Sequence, residues 1–548
     1  MALILQWMPC PMLARCNSAA LQGLDALPVS VEVDIAPGLP GLQMVGLADA
    51  AVQEARERVR AALRNSGLRV PLTRVVVSLA PADLRKAGPA FDLPIALGLL
   101  VASEQLEAQR LEQVWCAGEL GLDGRLRPVR GVLALAQAAR RGGARALLVP
   151  AANAGEAALV EGLRVWGAPD LAGALALLAD PSRAVRPVPR PAPGPEAPPP
   201  DLADVRGQGH GRRALEIAAA GGHHLLLVGP PGSGKTMLAR RLAGLLPPLS
   251  RAEALEITGL HSVAGLLPEG GALVGRRPFR SPHHSCSTVA LLGGGSVPRP
   301  GELSLAHRGV LFLDELAEFR REVLESLRQP LEEGEVWISR ARQRCRFPSQ
   351  VTLVAATNPC PCGWFGDPER PCVCGEGQRR RYWGHLSGPL LDRLDLQVVV
   401  RRPAPADLAH LTRPAPRPWD GATPGSAEGA AGMGRPEGSE AVARRVRQAR
   451  RRMARRNPGG AANAALAADA LTAVLKIDAE GRRLWEGALQ SRHLSARSAL
   501  RMLRVARTIA DLDGSERVGA AAIAEAFTYR SFDLCREGQG DEPTAGAP

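Results

Sequence analysis

The segment from Gly229 to Thr236 reads Gly-Pro-Pro-Gly-Ser-Gly-Lys-Thr, and it restricts the fold more than any other part of the chain. It matches the P-loop pattern G-x-x-x-x-G-K-[ST], follows the apolar run Leu225–Val228 and precedes a helix-like segment. In such a loop, backbone N–H groups surround phosphate oxygens, and the helix N-terminus adds partial positive charge. The sequence therefore predicts a strand–loop–helix unit that binds a nucleoside triphosphate.

The residues expected to bind the nucleotide are Gly229, Pro230, Pro231, Gly232, Ser233, Gly234, Lys235, Thr236 and Asp314. Lys235 is expected to reach the β- and γ-phosphates, and Thr236 to hold Mg²⁺. Lysine is rare here: of 68 basic residues, the three lysines are Lys86, Lys235 and Lys476. A lysine at this position indicates a place where a compact ammonium is needed and a guanidinium would be too large.

A second motif, Gly309–Glu315, is an apolar strand that ends in two carboxylates. Downstream of a P-loop this is the Walker B arrangement, in which Asp314 holds Mg²⁺, directly or through water, and Glu315 is the general base. The apolar segment Val351–Thr357 leads to Asn358, which could position the same water from the neighbouring strand. An ordinary Asn-Pro turn is the alternative for Asn358.

Two arginines are candidates for cationic charge at the γ-phosphate. Ring ATPases borrow an arginine from the next subunit, and Arg393 in the segment 388–395 is the candidate for that role. Arg497 in the segment 494–498 begins a predicted helix and is the sensor 2 candidate. Because 65 of the 68 basic residues are arginines, a surface ion pair is the alternative for each.

A chain of 548 residues is too long for one core, so two to four domains are expected. The predicted division is a first unit over 1–180, a proline-rich linker over 181–200, a nucleotide-binding unit over 201–405, a flexible insertion over 413–440, a helical unit over 441–530 and a disordered tail over 536–548. Predicted elements of the first unit are strands at Val29–Ile35 and Val75–Leu79, helices at Asp49–Ser66 and Phe91–Glu104, and a hairpin at Cys116–Val129. In the second unit, predicted strands at Leu225–Val228, Val310–Leu313 and Val351–Ala355 alternate with helices, which predicts a parallel sheet with nucleotide at the strand ends.

The net charge of +13 suggests a polyanionic partner, although a bias toward Arg, Ala, Gly and Pro along the whole chain explains it equally well. No run of 18 apolar residues occurs, so we expect no membrane span. The N-terminus lacks the basic region of a secretory signal, and ten cysteines over this length are not a secreted disulfide framework. A cytoplasmic location is therefore expected.

A row of arginines precedes the strand that leads to Asn358, at a place where a hairpin would project toward a ring pore. Arg340, Arg342, Arg344 and Arg346 alternate strictly, so a single strand would place all four on one face. Such a row can follow a phosphate backbone, and Trp337 and Phe347 could stack on bases. An exposed edge strand protected by charge is the alternative.

Four cysteines fall within fifteen residues: Cys360, Cys362, Cys372 and Cys374. Four thiolates suit tetrahedral zinc, although the C-x-C spacing is tighter than the usual C-x₂-C. Reduced thiols in a loop and a redox disulfide are the alternatives. His283 and His284 could be ligands elsewhere, but ordinary hydrogen bonds are the simpler interpretation.

The P-loop, the Asp-Glu pair, Asn358, the Arg393 motif and a C-terminal helical lid together resemble an AAA+ ATPase. The segments 276–284, 300–309 and 356–363 are further similar to the magnesium-chelatase-like group called YifB or ComM. This resemblance covers most of the chain.

The resemblance implies an α/β fold, with an AAA+ P-loop ATPase core, an insert in its second helix and a C-terminal helical lid. The long interval between Lys235 and Asp314 is consistent with such an insert. The family implies a hexameric ring, and ComM-type members act as DNA helicases that promote branch migration during natural transformation. The expected cofactors are ATP, Mg²⁺ and structural zinc, and the expected partner is single-stranded or branched DNA. The alternatives are a chelatase-type remodeller that acts on a protein partner, and a nucleotide-dependent scaffold without hydrolysis.

The first unit resembles the proteolytic domain of Lon, an α+β (S5-like) fold, in the segments Lys86–Pro94 and Gly118–Gly124. Lon-like enzymes use a Ser directly after Gly-Pro and a Lys in a later helix. Here Ala90 and Leu133 occupy those places, so the groups for covalent acyl transfer are missing. We therefore expect a non-catalytic domain, serving as a DNA-guiding or oligomerising collar, and Lys86 has no assigned role.

Overall fold

Valine-rich strands build the sheet of the N-terminal region. The structure is a computed structural model, and it describes residues 13–188, 199–268, 270–271, 273–295, 297–340, 343–403, 437–492 and 495–530. The strands are β1 Ala14–Gln22, β2 Asp25–Ala36, β3 Gly41–Val45, β4 Arg74–Ala80, β5 Val114–Cys116, β6 Glu119–Leu120, β7 Leu126–Arg127, β8 Ala146–Pro150 and β9 Arg164–Ala168. The helices are α1 Ala50–Asn65, α2 Asp92–Ala102, α3 Val132–Arg141, α4 Ala151–Ala157 and α5 Leu171–Ala179. Within the described residues, seven of these strands form one mixed sheet in the order β3-β4-β2-β1-β5-β8-β9.

Alternating side chains explain how this sheet acquires a core. In β4, Val75, Val77 and Leu79 are buried while the residues between them are more exposed, so one face is apolar. The helices α2 and α3 pack on β1 and β2. The predicted strands lie within β2 and β4, the predicted helices correspond to α1 and α2, and β6 and β7 form the predicted hairpin.

A parallel sheet carries the nucleotide-binding motifs. The strands of this region are β10 Leu225–Val228, β11 Phe279–Arg280, β12 Gly293–Gly294, β13 Arg299–Pro300, β14 Val310–Leu313, β15 Glu335–Arg340, β16 Gln343–Pro348, β17 Thr352–Thr357 and β18 Leu396–Val399. The helices are α6 Gly209–Gly221, α7 Lys235–Leu245, α8 Arg251–Ala264, α9 Thr288–Leu292, α10 Glu302–Leu305, α11 Arg321–Ser326, α12 Arg328–Glu333, α13 Glu376–Gly384 and α14 Gly388–Leu391. The sheet order is β11-β14-β17-β10-β18, and every neighbouring pair is parallel.

The central strands of this sheet are buried throughout, as expected for parallel strands covered on both faces. The predicted strands agree with β10 and β14, and β17 lies at residues 352–357 rather than 351–355. Because parallel strands end at the same edge of a sheet, the segments that follow β10, β14 and β17 meet there. This edge therefore collects the P-loop, the Asp-Glu pair and Asn358.

A helical region follows, with α15 Ser439–Arg456, α16 Ala468–Leu475, α17 Ala479–Arg492, α18 Ala496–Leu512 and α19 Ala520–Thr528. Its buried apolar residues belong to the same hydrophobic cluster as those of β10 and α7, so it packs on the ATPase core. None of the helices in the described ranges is both long and apolar enough to cross a membrane.

The start of α15 differs from the predicted boundary between an insertion ending at 440 and a helical unit beginning at 441. The helix begins at Ser439, whose Oγ accepts from the backbone N–H of Leu202 at 2.7 Å. Asp201 in turn accepts from the backbone N–H of Ser439 at 2.6 Å, so contacts with the core fix this end. Most of the predicted insertion, residues 189–198 of the linker and the tail lie outside the described residues.

Candidate nucleotide site, basic hairpin and cysteine cluster

The P-loop connects β10 to α7 in a conformation that needs glycine. A Cβ on Gly229 would stand 2.2 Å from the carbonyl oxygen of Val400, while Gly232 and Gly234 have φ of +75° and +92°. Lys235, half-buried, turns back so that its Nζ donates to the carbonyl oxygens of Gly229 at 2.6 Å and Pro230 at 3.0 Å. The loop thus exists as a formed turn at the start of a helix.

The Asp-Glu pair lies directly beside this loop. Thr236 Oγ1 donates to Asp314 Oδ2 at 2.8 Å, and the backbone N–H of Glu315 donates to Asp314 Oδ1 at 3.0 Å. Burial lowers the pKa of Lys235, and the carboxylates of Asp314 and Glu315 oppose that shift. The hydroxyl and carboxylate oxygens of Thr236 and Asp314 are the hard ligands that suit Mg²⁺.

Asn358 joins the same group of side chains. It follows β17, the strand between β14 and β10, and its Oδ1 accepts from Lys235 Nζ at 3.2 Å. The structure therefore places two hydrogen-bonded pairs, Lys235 with Asn358 and Thr236 with Asp314, side by side at the start of α7. Glu315 is exposed at their edge.

Arg393 lies at the other end of the sheet. Arg393 precedes β18, which runs parallel to β10, whereas the P-loop follows β10. Arg393 and the P-loop therefore lie at opposite ends of these strands, and the length of one four-residue strand alone separates them by about 10 Å. The Arg393 side chain is 9% exposed, donates to the carbonyl oxygen of Pro389 at 2.6 Å and pairs with Glu332. Arg393 is thus not part of the site of its own chain.

Arg497 is exposed in the first turn of α18, as the predicted helix start requires. One turn later, Arg501 pairs with Asp395 at 3.7 Å, close to the start of β18. The beginning of α18 therefore lies at the same end of the sheet as Arg393, away from the P-loop of the same chain.

An arginine-lined cleft of about 1250 Å³ opens at this end of the sheet. Its basic lining residues are Arg277, Arg308, Arg393, Arg450, Arg501 and Arg504. Burial, followed by the charge of Arg277, lowers the pKa of Arg450 to about 10. Four carboxylates also line the cleft, Glu253, Glu332, Glu333 and Asp395, and three of them pair with its arginines. The six arginines still exceed these carboxylates by two, and that excess of positive charge favours an anionic occupant.

The four-arginine row is not a single strand. The chain reverses between Arg340, which ends β15, and Gln343, which begins β16, so the prediction that all four lie on one strand face is wrong. A hairpin forms instead of one continuous strand because it buries four apolar residues together, Val336, Ile338, Cys345 and Phe347. Arg342 lies outside the described residues.

Arg344 and Arg346 share the exposed face of this hairpin with Trp337. Cross-strand pairing places Trp337 opposite Arg346, and the Arg344 guanidinium lies 4.5 Å from the centre of the indole ring. Trp337 is 44% exposed, whereas Phe347 is fully buried and is not available to stack on a base. The hairpin thus presents two arginines and one aromatic ring to solvent.

The four cysteines come together. Cys360 Sγ lies 3.3 Å from Cys362 Sγ and 3.6 Å from Cys372 Sγ, and all four sulfurs lie within 4.8 Å of one another. Tetrahedral zinc with ~2.3 Å bonds would place sulfurs ~3.8 Å apart. Backbone N–H groups of Phe365 and Cys362 donate to Cys360 and Cys374 Sγ, both at 3.3 Å, as thiolate ligands require.

Two residues beside the nucleotide group were not anticipated from sequence. His284 Nδ1 lies 3.2 Å from Glu315 Oε2, so it contacts the candidate general base. Gln208 Nε2 donates to the carbonyl oxygens of Ser233 at 3.3 Å and Arg401 at 2.5 Å, which ties the P-loop to the end of β18. No local sequence signal identified His284, because its place depends on the strand order, in which β11 precedes it and pairs with β14.

The two positions that correspond to the Lon catalytic pair are apolar and share one hydrophobic cluster. Leu133 is buried in α3, and Ala90 packs against the same hydrophobic cluster. Lys86 is fully buried, its Nζ donates to the carbonyl oxygen of Pro81, and burial lowers its pKa. These contacts describe a packed fold without a nucleophile at this place.

Three family models match the chain. "Magnesium chelatase, subunit ChlI" matches residues 201–408, "Subunit ChlI of Mg-chelatase" residues 31–153, and "Magnesium chelatase, subunit ChlI C-terminal" residues 436–530. Together they span the N-terminal region, the parallel sheet and the helical region.

Curated relatives match over nearly the whole chain. The YifB protein of Escherichia coli (strain K12) is 44% identical over 523 residues, 95% of this chain and 97% of the relative. The competence protein ComM of Haemophilus influenzae is 42% identical over 529 residues, 95% of this chain and 98% of the relative. The archaeal Lon protease of Methanocaldococcus jannaschii is 28% identical over 154 residues, 28% of this chain and 19% of the relative.

Proposed function

The chain belongs to the YifB/ComM group of magnesium-chelatase-like AAA+ proteins, with a Lon-like N-terminal domain, and on that premise we propose that it is an ATP-driven motor acting on DNA. The observation that carries this proposal is the pairing of Lys235 with Asn358 and of Thr236 with Asp314 at one edge of the sheet, in a chain that also exposes a basic hairpin. The finer proposal is a hexameric helicase that promotes branch migration in recombination or natural transformation. The name of the competence protein ComM supports that setting.

In this proposal each side chain at the carboxyl edge of the sheet has a separate task. Lys235 leaves the carbonyl oxygens of its own loop to hold the β- and γ-phosphates, and Asn358 orients the attacking water. Glu315 accepts the proton of that water. Thr236 and Asp314 would hold Mg²⁺, which when bound supplies positive charge to the phosphates.

The remaining cationic groups would come from a neighbouring copy of the chain. Arg393 lies at the amino end of the sheet, in the arginine-lined cleft, and is too far from its own P-loop to act there. A ring would bring the nucleotide of one copy to this cleft in the next, with Arg497 near its entrance. The excess of arginines over carboxylates in the cleft, six against four, supports docking of a triphosphate rather than an apolar surface.

The exposed face of Trp337, Arg344 and Arg346 is the candidate DNA contact. Arginines can neutralise phosphates, and an indole ring can stack on an unpaired base. The alternative function is a magnesium-chelatase-type remodeller that acts on a protein partner, which the description of the matching family model favours.

The four cysteines, we infer, hold a structural zinc ion. Their sulfur positions fit tetrahedral thiolate coordination, and the ligand set is closed, without a place for substrate. Metal analysis of the purified protein should give one zinc per chain, and a value near zero would contradict the assignment.

The deciding experiment compares ATP hydrolysis with and without single-stranded and forked DNA, together with unwinding of a branched substrate. A DNA motor should hydrolyse ATP several-fold faster with DNA and should displace a strand. A remodeller should hydrolyse ATP at a rate that DNA does not change and should displace no strand, and that result would overturn the DNA proposal.

A further inference from the structure

The cysteine loop, defined here as residues 360–374, is continuous with the nucleotide site. It begins two residues after Asn358, whose Oδ1 accepts from Lys235. Its Gly363, at φ +84°, packs on the P-loop so closely that a Cβ would stand 2.7 Å from Cδ of Pro231 and 3.9 Å from Cγ of Asn358. A shift of this loop would therefore move both Asn358 and the P-loop.

The cysteine loop has little regular structure to hold it in that place. All of residues 360–374 are described, and none lies in a helix or strand. The guanidinium groups of Arg370 and Arg402 lie 4.7 and 4.8 Å from the centre of the Trp364 ring. Within the loop, the Arg379 guanidinium lies 4.6 Å from the Phe365 ring and Arg402 pairs with Glu369 at 3.6 Å. At its ends, Trp383 Nε1 donates to the Pro359 carbonyl oxygen at 2.9 Å and Arg379 donates to that of Cys374 at 2.7 Å.

The sulfur cluster is the contact that joins the two ends of the loop to each other, because Cys360 and Cys362 meet Cys372 and Cys374. Without a metal, the four thiols offer weak hydrogen bonds, and a fifteen-residue irregular segment regains conformational entropy on opening. Four metal–thiolate bonds offset that entropy, because structural zinc contributes directly to the folding of the segment that binds it.

We propose that zinc in the cysteine loop braces the nucleotide site, so that ATP turnover depends on zinc although no cysteine touches the nucleotide. Cys360, Cys362, Cys372 and Cys374 act as positioning residues. They hold Gly363 against Pro231 and keep Asn358 within reach of Lys235. This inference rests on the proposed ATPase activity and the proposed zinc ion.

The test uses the full-length protein and the variant Cys372→Ser. Zinc content, Mg-ATP hydrolysis and affinity for a fluorescent ADP are measured on the same samples. The variant should lose zinc, lower kcat on the order of 10- to 100-fold and weaken ADP binding, because misplacing a positioning residue has effects of that size. Cys286→Ser, a half-buried cysteine outside the loop, should keep both zinc and rate.

Two further variants keep the test decisive. Cys372→His retains a zinc ligand of the usual kind and should recover zinc and most of the rate, which a general folding defect would not allow. Because the brace keeps Asn358 within reach of Lys235, adding Cys372→Ser to the Asn358→Ala variant should lower kcat much less than adding it to the wild type.

The inference is overturned if zinc-free Cys372→Ser hydrolyses ATP at the wild-type rate, or if its effect multiplies fully with that of Asn358→Ala. It is also overturned if the wild-type protein contains no zinc. A wild-type protein that binds zinc but hydrolyses no ATP would instead overturn the proposed function, so the two failures are distinguishable.

Discussion

Glu315 and Gln208 are two non-glycine residues with positive φ, both 53°, and both lie at the nucleotide site. Such a conformation costs on the order of 1–3 kcal/mol and persists where the surroundings impose it. At Glu315 the turn directs the backbone N–H to Asp314 and leaves the side chain against His284. The strained backbone of Glu315 thus places its carboxylate just beyond the end of β14.

Replacing Glu315 by Gln should leave nucleotide binding nearly intact and lower kcat for ATP hydrolysis by about 10²- to 10⁴-fold, since the amide does not accept a proton. Steady-state hydrolysis and fluorescent-nucleotide titration measure the two effects. The matched control is Glu318→Gln, an exposed carboxylate three residues on, which should change neither. Normal turnover in the Glu315 variant would remove the general base from the mechanism.

At the scale of elements, the hairpin of β15 and β16 separates its two faces cleanly. One face buries Val336 and Phe347, and the other exposes Trp337, Arg344 and Arg346. Changes on the exposed face should leave the fold intact, so this surface can be tested without loss of the protein.

The double variant Arg344→Ala, Arg346→Ala should weaken binding of single-stranded DNA about tenfold. The slope of log affinity against log salt concentration should become shallower by the amount expected for about two phosphate contacts. Each arginine that neutralises a phosphate releases a counterion, so each lost contact reduces this slope. Fluorescence anisotropy at several salt concentrations measures both. The control is Arg482→Ala, Arg483→Ala on α17, with the same charge change on another exposed surface. Equal losses in both variants would indicate a bulk charge effect and contradict the hairpin assignment.

A buried ion pair fixes α18 within the helical region. Arg507 and Asp511 are both almost fully buried, their Nη2 and Oδ1 atoms are 3.0 Å apart, and Asp511 also accepts from Asn463 at 2.8 Å. Removing one partner leaves an uncompensated charge in the interior.

Asp511→Ala should therefore destabilise the helical region by about 3–5 kcal/mol. Hydrogen exchange of the backbone amides in residues 496–512 should accelerate, and mass spectrometry of peptides from the full-length protein measures it. Asp469→Ala, an exposed carboxylate on α16, should leave the exchange unchanged. Unchanged protection in the Asp511 variant would show that the pair contributes little.

At the scale of the whole molecule, the proposed catalytic groups lie at opposite ends of one parallel sheet. Lys235, Asp314 and Asn358 lie at the carboxyl end, and Arg393 lies at the amino end. A single chain therefore supplies the P-loop side of one ATPase site and the arginine side of another. In a ring, neighbouring copies would complete both sites.

Mixing two inactive variants tests this division. Lys235→Ala should lose nucleotide binding and Arg393→Ala should lose the cationic group, each lowering hydrolysis at least 10²-fold. In equal mixtures, roughly one quarter of the interfaces pair an intact P-loop with an intact Arg393, so a comparable fraction of activity should return. If the mixture stays inactive although mixed assemblies form, Arg393 does not act between copies.

The sequence by itself determined the strand–loop–helix unit, the carboxylate pair and the order of elements around them. Those features depend on local rules, such as glycine at positive φ in the P-loop and apolar runs that form buried strands. The sequence also placed the four cysteines close enough along the chain to meet.

Tertiary structure alone decided which of these parts touch. The strand order set Asn358 beside Lys235 and His284 beside Glu315, and parallel direction placed Arg393 at the far end of the sheet. The arginine row became a hairpin because burial of Phe347 and Ile338 outweighs an unbroken alternation of charge. Contacts between distant segments depend on packing of the whole sheet, and no local pattern of residues encodes them.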